Sequence, residues 1–256
     1  MIGDRPLPTF LQAVFQKQHY VALWNMYRNY PAFTENLKRY LLGKGEYPYK
    51  IQVKTPTGIV SPTLYSHHDL LTVNEIFCRQ DYYADDELRV VVDLGSNIGI
   101  SALYFMTRND ESRCYLFEPD PRNVEKLKLN LSGYEPRYVL RQEAVSDVGG
   151  SFRFGIESTG RYGGIGLETG EYIEVSCLPV NEVLREIVAK EGTIDILKID
   201  TEGVELRIVR AIEEDLLKRI RKVYLESNPG GRLHPAMFEQ RQYGSICRLT
   251  NKTLCA

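Results

Sequence analysis

The feature that most constrains the fold of this chain is the stretch VVVDLGSNIGISALYF, at residues 90–105. Its three consecutive valines predict a strand that is buried on both faces of a sheet, and its apolar end, ISALYF, predicts a helix. Gly95 and Gly99 bracket the turn between them, because glycine adopts the backbone conformations that a tight strand-to-helix turn requires. The carboxylate of Asp93 stands beside this turn and would repel a phosphate. We therefore expect the turn to receive a ligand with a cationic group.

Further strands and helices alternate along the chain, which predicts a mostly parallel sheet with helices on both faces. The later predicted strands of this sheet cover residues 113–117, 137–141, 193–199 and 220–225. The predicted helices cover residues 120–131, 181–191, 204–212 and 236–243, and short strands close the chain. This alternation is typical of a Rossmann-like α/β domain.

Two additions to this domain are visible in the sequence. We predict a helical cap at residues 1–50 and a Rossmann-like domain at residues 51–256. Residues 9–42 of the cap are rich in aromatic side chains and are divided by Pro31, which ends a helix. These aromatic side chains either pack onto the core or form a lid or a dimer face. Two alternating strands with glycines between them predict a β-hairpin flap near residues 151–177.

Composition excludes several classes of function. A formal net charge of −2 provides no broadly basic surface for a nucleic acid. The N-terminus lacks the apolar core of a signal peptide, and no apolar run reaches the roughly 18 residues of a membrane span. Five cysteines without a CxxC pair indicate free thiols in the cytoplasm. The adjacent His67 and His68 cannot point the same way on a helix or strand, so we expect no metal pair there.

Acidic residues mark the ends of four predicted strands, at Asp93, Glu118, Asp200 and Glu226. The carboxyl ends of the strands border the ligand crevice in an open α/β sheet. The glycine turn lacks the GxGxxG pattern of a dinucleotide site, and the carboxylate of Glu118 suits the two hydroxyls of a ribose. S-Adenosylmethionine has a ribose, a sulfonium and no phosphate, so it is the cofactor that we expect.

Three motifs together resemble the FkbM family of S-adenosylmethionine-dependent methyltransferases: DLGSNIG, then FEP at 117–119, then LKIDTEGVE at 197–205. The resemblance covers about residues 72–226 and includes TVNEIF before the first strand. It implies a class I methyltransferase fold, with a seven-stranded mostly parallel sheet, preceded here by a helical extension. Val204 departs from the family, in which histidine is common at this position.

The motifs and the resemblance indicate a set of cofactor-binding residues. The first loop would hold the methionine part, Glu118 the ribose, and the segment after the third strand the adenine. The set comprises Glu75, Asp93, Gly95, Ser96, Asn97, Gly99, Glu118, Pro119, Glu143, Ala144, Val145 and Asp200.

A hydroxyl that accepts a methyl group benefits from a base, because its proton must leave. Asp200, at the end of the fourth strand, is our first candidate, and Glu202, Glu226 and His234 are the other catalytic candidates. A divalent cation held by the carboxylates of Asp200, Glu202 and Glu226 is an alternative. No residue spacing requires it, so we predict no metal site. We expect Lys198 to pair with a nearby carboxylate in a structural role.

These features predict an S-adenosylmethionine-dependent O-methyltransferase that acts on a hydroxyl of a sugar, a glycan or a natural product and releases S-adenosylhomocysteine. A nicotinamide-dependent oxidoreductase and a non-catalytic Rossmann-like binding module are the alternatives. We expect the small-molecule or glycan acceptor to contact the N-terminal helices, residues 160–170 and the region of His234. The N-terminal helices are also the expected face of a homodimer, and we expect neither a nucleic acid nor a membrane as partner.

Overall fold

The computed structural model describes residues 17–156, 163–165 and 170–255. Contacts divide the chain into two compact units. One unit extends to Asp85 and includes Thr107–Asp110. The other contains Asp86–Met106 and the chain from Glu111 onward.

The first unit begins with two helices, α1 (Lys17–Asn29) and α2 (Phe33–Leu42), which are separated at Pro31 as the sequence predicts. The expected helical residues 9–16 lie outside the described residues. A left-handed Gly43 ends α2. The unit continues with β1 (Tyr49–Lys50), β2 (Val53–Thr55), β3 (Gly58–Val60), β4 (Thr63–Leu64), α3 (His67–Val73) and a π-helical turn (Asn74–Arg79).

Segment 51–85 belongs to the same compact unit as the N-terminal helices, whereas the sequence places the domain boundary after residue 50. Helix α1 contacts both β2 and the π-helical turn. The side-chain amide of Asn25 donates to the carbonyl of Cys78 at 2.7 Å, and that of Asn29 donates to the carbonyl of Phe77 at 3.0 Å. These contacts extend the unit beyond the helices themselves.

A seven-stranded sheet forms the centre of the second unit. Its strands, from one edge to the other, are β14 (Phe238–Tyr243), β15 (Ile246–Asn251), β13 (Ile220–Glu226), β12 (Ile194–Ile199), β5 (Val90–Leu94), β6 (Arg113–Phe117) and β7 (Tyr138–Arg141). All pairs are parallel except the two that involve β15. The predicted class I methyltransferase fold, with its mostly parallel seven-stranded sheet, is confirmed.

Helices cover both faces of this sheet. The second unit contains α4 (Ile100–Met106), α5 (Pro121–Asn130), α6 (Val180–Glu191), α7 (Glu205–Ala211) and α8 (Glu214–Leu217). Successive side chains of a strand point to opposite faces. Val90, Val92 and Leu94 of β5 join a buried apolar cluster with α6, α7 and α8. The intervening Asp93 bonds to Ser101 of α4, which therefore lies on the other face.

A small four-stranded sheet follows β7. It contains β8 (Ala144–Ser146), β9 (Gly150–Ile156), β10 (Gly163–Ile165) and β11 (Glu171–Pro179), in the order β10-β9-β11-β8. Strands β9 and β11 pair antiparallel, as their alternating sequences predict. Their inner side chains form a separate apolar cluster that includes Phe154 and Val175. Of the glycines in the predicted flap, Gly160 and Gly166 lie outside the described residues.

The predicted helix at residues 236–243 is wrong, because this segment forms the edge strand β14. Gly244, with φ 58°, turns the chain back into β15, and six residue pairs join the two strands. Only Phe238 of the strand is fully buried. Such a polar edge strand carries little hydrophobic periodicity, so pairing with β15 decides its conformation. Within the described residues, no helix combines the length and the apolar character needed to span a membrane.

Candidate active site

An open cavity lies at the carboxyl ends of β5, β6 and β12, within the second unit. The described residues that line it are Gly95, Asn97, Phe117, Glu118, Pro119, Asp120, Asn123, Glu143, Ala144, Val145, Phe154, Asp200, Thr201, Glu202 and Val204. The cavity therefore lies where ligands bind in doubly wound sheets.

The loop after β5 forms one wall of this cavity. The backbone N–H groups of Gly95 and Ser96 both donate to the carbonyl of Phe117, at 2.9 and 3.0 Å. Gly95 has φ +83°, and a Cβ atom there would overlap the carbonyl oxygen of Asp200. Asn97 also has a positive φ, of 47°. The loop thus needs glycine at position 95 both for its backbone angle and for its close approach to the end of β12.

Glu118 connects this loop to the end of β6. One of its carboxylate oxygens accepts from the backbone N–H of Asn97 at 2.8 Å, and the other accepts from that of Asp120 at 3.0 Å. Its side chain lines the cavity although the residue is only 5% exposed. Burial raises the pKa of Glu118 to about 7, against the lowering effect of the two N–H donors. The carboxyl group is therefore poised to change its charge near neutral pH.

A buried ion cluster lies beneath the cavity. The ammonium of Lys198 contacts Oδ1 of Asp93 at 2.9 Å, the carbonyl of Gly95 at 2.9 Å and Oδ2 of Asp200 at 3.1 Å. Asp93 also accepts from the hydroxyl of Ser101 at 2.5 Å. Burial by itself lowers the pKa of Lys198, but the carboxylates of Asp200 and Asp93 outweigh it and hold this pKa above its usual value. The predicted pairing of Lys198 with a carboxylate is confirmed.

The structure corrects the expected role of Asp93. The sequence places its carboxylate beside a cationic ligand group, but the residue is 0% exposed and is not among the lining residues. Asp93 lies inside β5, and the alternation of the strand turns its side chain toward α4. There it is bound by Lys198 and Ser101. The acidic side chains of the cavity wall come from other positions.

The loop after β12 forms the opposite wall, with Asp200, Thr201 and Glu202. Glu205, at the start of α7, accepts from the backbone N–H of Thr201 at 3.1 Å and from that of Gly203 at 2.8 Å. Glu205 is buried and does not line the cavity. Its carboxylate therefore shapes the loop, whereas Asp200 and Glu202 face the cavity.

The ionisable side chains of the described lining residues are all acidic. Three of them pair with basic residues outside the lining: Asp120 with Arg122, Glu143 with Arg141 and Asp200 with Lys198. Five of the described lining residues carry carboxyl groups, and none of them is lysine, arginine or histidine. The acidic residues are Glu118, Asp120, Glu143, Asp200 and Glu202. Within residues 17–156, 163–165 and 170–255, no group of three acidic, histidine or cysteine side chains is placed to hold a metal ion.

A family model described as the methyltransferase FkbM domain matches residues 93–246 of the 256 in the chain. The chain belongs to the FkbM methyltransferase family. The match begins at the end of β5 and includes the cavity, so the chain contains a methyltransferase domain.

Individual relatives are distant. The 31-O-demethyl-FK506 methyltransferase FkbM of Streptomyces tacrolimicus is 25% identical over 210 residues, which are 68% of this chain and 80% of that protein. Methyltransferase sdnD of Sordaria araneosa is 26% identical over 184 residues, 55% of this chain and 67% of that protein. The AMB antimetabolite synthetase AmbE of Pseudomonas aeruginosa is 23% identical over 69% of this chain, which spans only 10% of the synthetase.

Solved structures also include a similar protein. The methyltransferase FkbM from Methylobacillus flagellatus KT aligns with 90% of this chain and 58% of its own, with a TM-score of 0.47 and 13% identity.

The FkbM domain brings most of the predicted cofactor residues to one cavity. Those that line it are Gly95, Asn97, Glu118, Pro119, Glu143, Ala144, Val145 and Asp200. Ser96 and Gly99 belong to the same loop without lining the cavity; the hydroxyl of Ser96 donates to the carbonyl of Asp93 at 3.0 Å. Glu75 lies in the other compact unit, 3.4 Å from Arg79.

Two predicted catalytic residues of the FkbM domain do not line the cavity. Glu226 is the exposed last residue of β13. His234 has φ 44°, and its Nε2 atom lies 3.0 Å from the carbonyl of Val209 in α7. Neither is among the lining residues, whereas the candidates Asp200 and Glu202 are.

The lining of the FkbM domain also contains residues that sequence reasoning missed. Asp120 and Asn123 lie at the start of α5, directly after Glu118, and their place next to this carboxylate was a usable signal. Phe154 comes from β9 of the small sheet, and only the tertiary fold brings it to the cavity.

Proposed function

We propose that this chain is an S-adenosylmethionine-dependent O-methyltransferase that acts on a hydroxyl of a sugar, a glycan or a natural product. The observation that carries this proposal is the charge of the cavity, where five carboxyl side chains and no basic ones line the described wall. A nicotinamide cofactor would bring its pyrophosphate against these acids. A cofactor with a sulfonium, an ammonium and ribose hydroxyls suits them.

The residues of the cavity fit this group. Gly95 lacks a side chain where one would overlap Asp200, so the loop after β5 approaches the end of β12 closely at the cavity wall. Glu118 presents a buried carboxylate, which is suited to accept from the two ribose hydroxyls. Ala144, Val145 and Phe154 supply an apolar wall suited to an adenine.

Bound S-adenosylmethionine would supply an activated methyl group. The task of the chain is then to align the acceptor hydroxyl and to remove its proton. Asp200 is our candidate base: it lines the cavity, its side chain is 26% exposed, and Lys198 holds its Oδ2 atom at 3.1 Å. We propose that its carboxylate takes the hydroxyl proton as the oxygen attacks. The name of the relative from Streptomyces tacrolimicus refers to an O-demethyl substrate, which supports oxygen as the acceptor atom.

Calorimetric titration with S-adenosylhomocysteine tests the cofactor. We expect the wild-type chain to bind it and Glu118→Ala to bind at least about 30-fold more weakly, because two charge-assisted hydrogen bonds to the ribose are lost. Glu125→Ala on the exposed face of α5 is the matched control and should bind normally. Preference of the folded protein for NADH would instead favour the oxidoreductase, and no binding of either ligand would contradict the proposal.

Transfer of a labelled methyl group to a panel of hydroxylated glycosides and macrocyclic alcohols tests the reaction. Asp200→Asn should fold, bind S-adenosylhomocysteine and lose at least about 100-fold in turnover, the usual contribution of a general base. Near-normal turnover of this variant would remove Asp200 from the role of base. Cofactor binding without transfer to any acceptor would favour a non-catalytic module.

A further inference from the structure

Lys198 is an unusual residue for its position. It is the last residue but one of the central strand β12, between Leu197 and Ile199, and its neighbours across the sheet are Asp93 and Tyr224. The residue is only 2% exposed. A charge at such a site is costly unless it is paired and hydrogen-bonded. The sheet could accept an apolar residue here, so the ammonium needs an explanation beyond packing.

The contacts of Lys198 explain why an ammonium is present at this position. Its ammonium meets three acceptors, and they belong to three separate parts of the site: Asp93 inside β5, the carbonyl of Gly95 in the first loop, and Asp200 at the cavity wall. An ammonium has three donors and no acceptor. Lys198 thus holds the first loop and the candidate base in one arrangement.

The charges of this cluster do not cancel. In formal charges, Asp93 and Asp200 contribute two carboxylates and Lys198 contributes one ammonium, which leaves one negative charge in excess. Burial raises the pKa of Asp93, and the adjacent ammonium of Lys198 opposes that rise. Asp93 is 0% exposed, whereas the side chain of Asp200 is 26% exposed and lines the cavity. The excess negative charge therefore faces the ligand at Asp200.

We propose that Lys198 is a positioning residue that holds the Asp200 carboxylate at the cavity wall, and that this carboxylate makes the site prefer the cationic methyl donor over its uncharged product. The inference rests on the proposed function. It assigns Lys198 a role in ligand discrimination in addition to its role in packing. The preference would favour exchange of the product S-adenosylhomocysteine for a new donor after each transfer.

The test compares two unreactive probes by calorimetry. S-Adenosylhomocysteine is neutral at the thioether, whereas sinefungin carries an amine at the position of the sulfonium methyl group. We expect the wild-type chain to bind sinefungin about five- to tenfold more tightly than S-adenosylhomocysteine, as one partly screened charge pair would provide. Asp200→Asn should reduce this ratio to about one through weaker sinefungin binding. Glu125→Gln, on the exposed surface of α5 and outside the lining, should leave the ratio unchanged.

A charge-matched double variant tests Lys198 itself. Lys198→Met with Asp93→Asn removes one positive and one negative charge. The negative charge on Asp200 therefore remains, while the ammonium that holds its carboxylate in place is lost. We expect the ratio to fall by at least about threefold, with S-adenosylhomocysteine affinity changed less than that. If Lys198 acts through Asp200, adding Asp200→Asn to this double variant should change the ratio of sinefungin affinity to S-adenosylhomocysteine affinity by less than about twofold.

The outcomes separate the two proposals. No binding of either probe by folded wild-type protein would contradict the proposed function. Binding of both probes with a ratio near one would overturn the present inference alone, and so would an unchanged or larger ratio in the double variant. If circular dichroism shows that the double variant does not fold, Lys198→Arg replaces it. The planar guanidinium cannot reproduce the three converging bonds, so the ratio should fall, and an unchanged ratio would overturn the inference.

Discussion

The loops that follow β5 and β12 are each held in shape by a glutamate, but the two glutamates come from different places in the fold. Each contains a non-glycine residue at positive φ, Asn97 at 47° and Glu202 at 54°. In each, a glutamate accepts hydrogen bonds from backbone N–H groups of the loop. Glu118 reaches the first loop from 21 residues away, at the end of the neighbouring strand. Glu205 shapes the second loop from within its own helix, four residues after Thr201.

This difference separates two tasks. Glu118 both supports its loop and lines the cavity, so one side chain shapes the loop and the cavity wall together. Glu205 supports its loop without lining the cavity, and so leaves Asp200 and Glu202 available for ligand and chemistry. We therefore expect substitutions in the first loop to affect affinity and fold together, and substitutions of Glu205 to affect mainly the fold.

The largest effect should come from Gly95→Ala. Both Gly95 (φ +83°) and Gly203 (φ +104°) have backbone angles that alanine tolerates poorly, but only at Gly95 would a Cβ atom overlap another residue, at the carbonyl of Asp200. We expect Gly95→Ala to lower the free energy of unfolding by more than about 3 kcal/mol, and Gly203→Ala by about 1–2 kcal/mol. Urea denaturation measures both. Equal losses would show that the close approach of the loops is not the constraint.

A smaller effect is expected for Glu118→Gln. The amide retains one acceptor oxygen and loses the charge, so affinity for S-adenosylhomocysteine should fall about tenfold. Calorimetry measures this loss, with Glu125→Gln on the surface of α5 as the control. Unchanged affinity would remove Glu118 from the ligand site.

Glu205→Gln should show the reverse pattern. Its carboxylate accepts from the N–H groups of Thr201 and Gly203 at the start of α7, where a negative charge is favourable. We expect the free energy of unfolding to fall by about 1–2 kcal/mol, while affinity for S-adenosylhomocysteine changes by less than about threefold. A large loss of affinity without loss of stability would contradict the division of tasks between the two loops.

The last expected effect depends on pH. Burial raises the pKa of Glu118 from 4.5 to about 7, so the folded chain retains a proton there that the unfolded chain has already released. The contribution of this group to the free energy of unfolding must therefore fall as the pH rises from about 4.5 to about 7, and then level off. Urea denaturation across this range, with Glu118→Gln as the reference, measures the difference. If the wild-type chain and Glu118→Gln showed the same pH dependence of stability, the raised pKa of Glu118 would be contradicted.

Most of the sheet was predictable because its central strands are continuous apolar runs between turn residues. Strands β5, β6, β12 and β13 lie where the sequence predicts them. The edge strand β14 was not predictable in this way, since its polar residues carry no clear period and its partner β15 supplies the hydrogen bonds. The compact unit that extends to Asp85 likewise depends on contacts between α1 and later segments.

The candidate site shows the same division. Glu118 and Asp200 follow buried strands, and the geometry of a parallel sheet brings such positions to one edge. Asp93 belongs to the same motif, but it lies inside its strand, two positions before the place that corresponds to Glu118 and Asp200, and its side chain bonds to Ser101 of α4. Glu226 and His234 carry suitable chemistry but lie away from the cavity. Phe154 reaches it from β9 of the small four-stranded sheet, which is distant from the motifs in sequence.

The sequence by itself determined the family, the order of strands and helices and the acidic character of the site, because these depend on local periodicity, glycine positions and residue type. Tertiary structure alone decided which carboxylates face the ligand. That choice depends on the direction of each side chain, the close contact of Gly95 with Asp200, and the three acceptors around Lys198. Except for the pairing of Lys198 with Asp200, these contacts join residues more than 100 positions apart in the chain, and no local pattern encodes them.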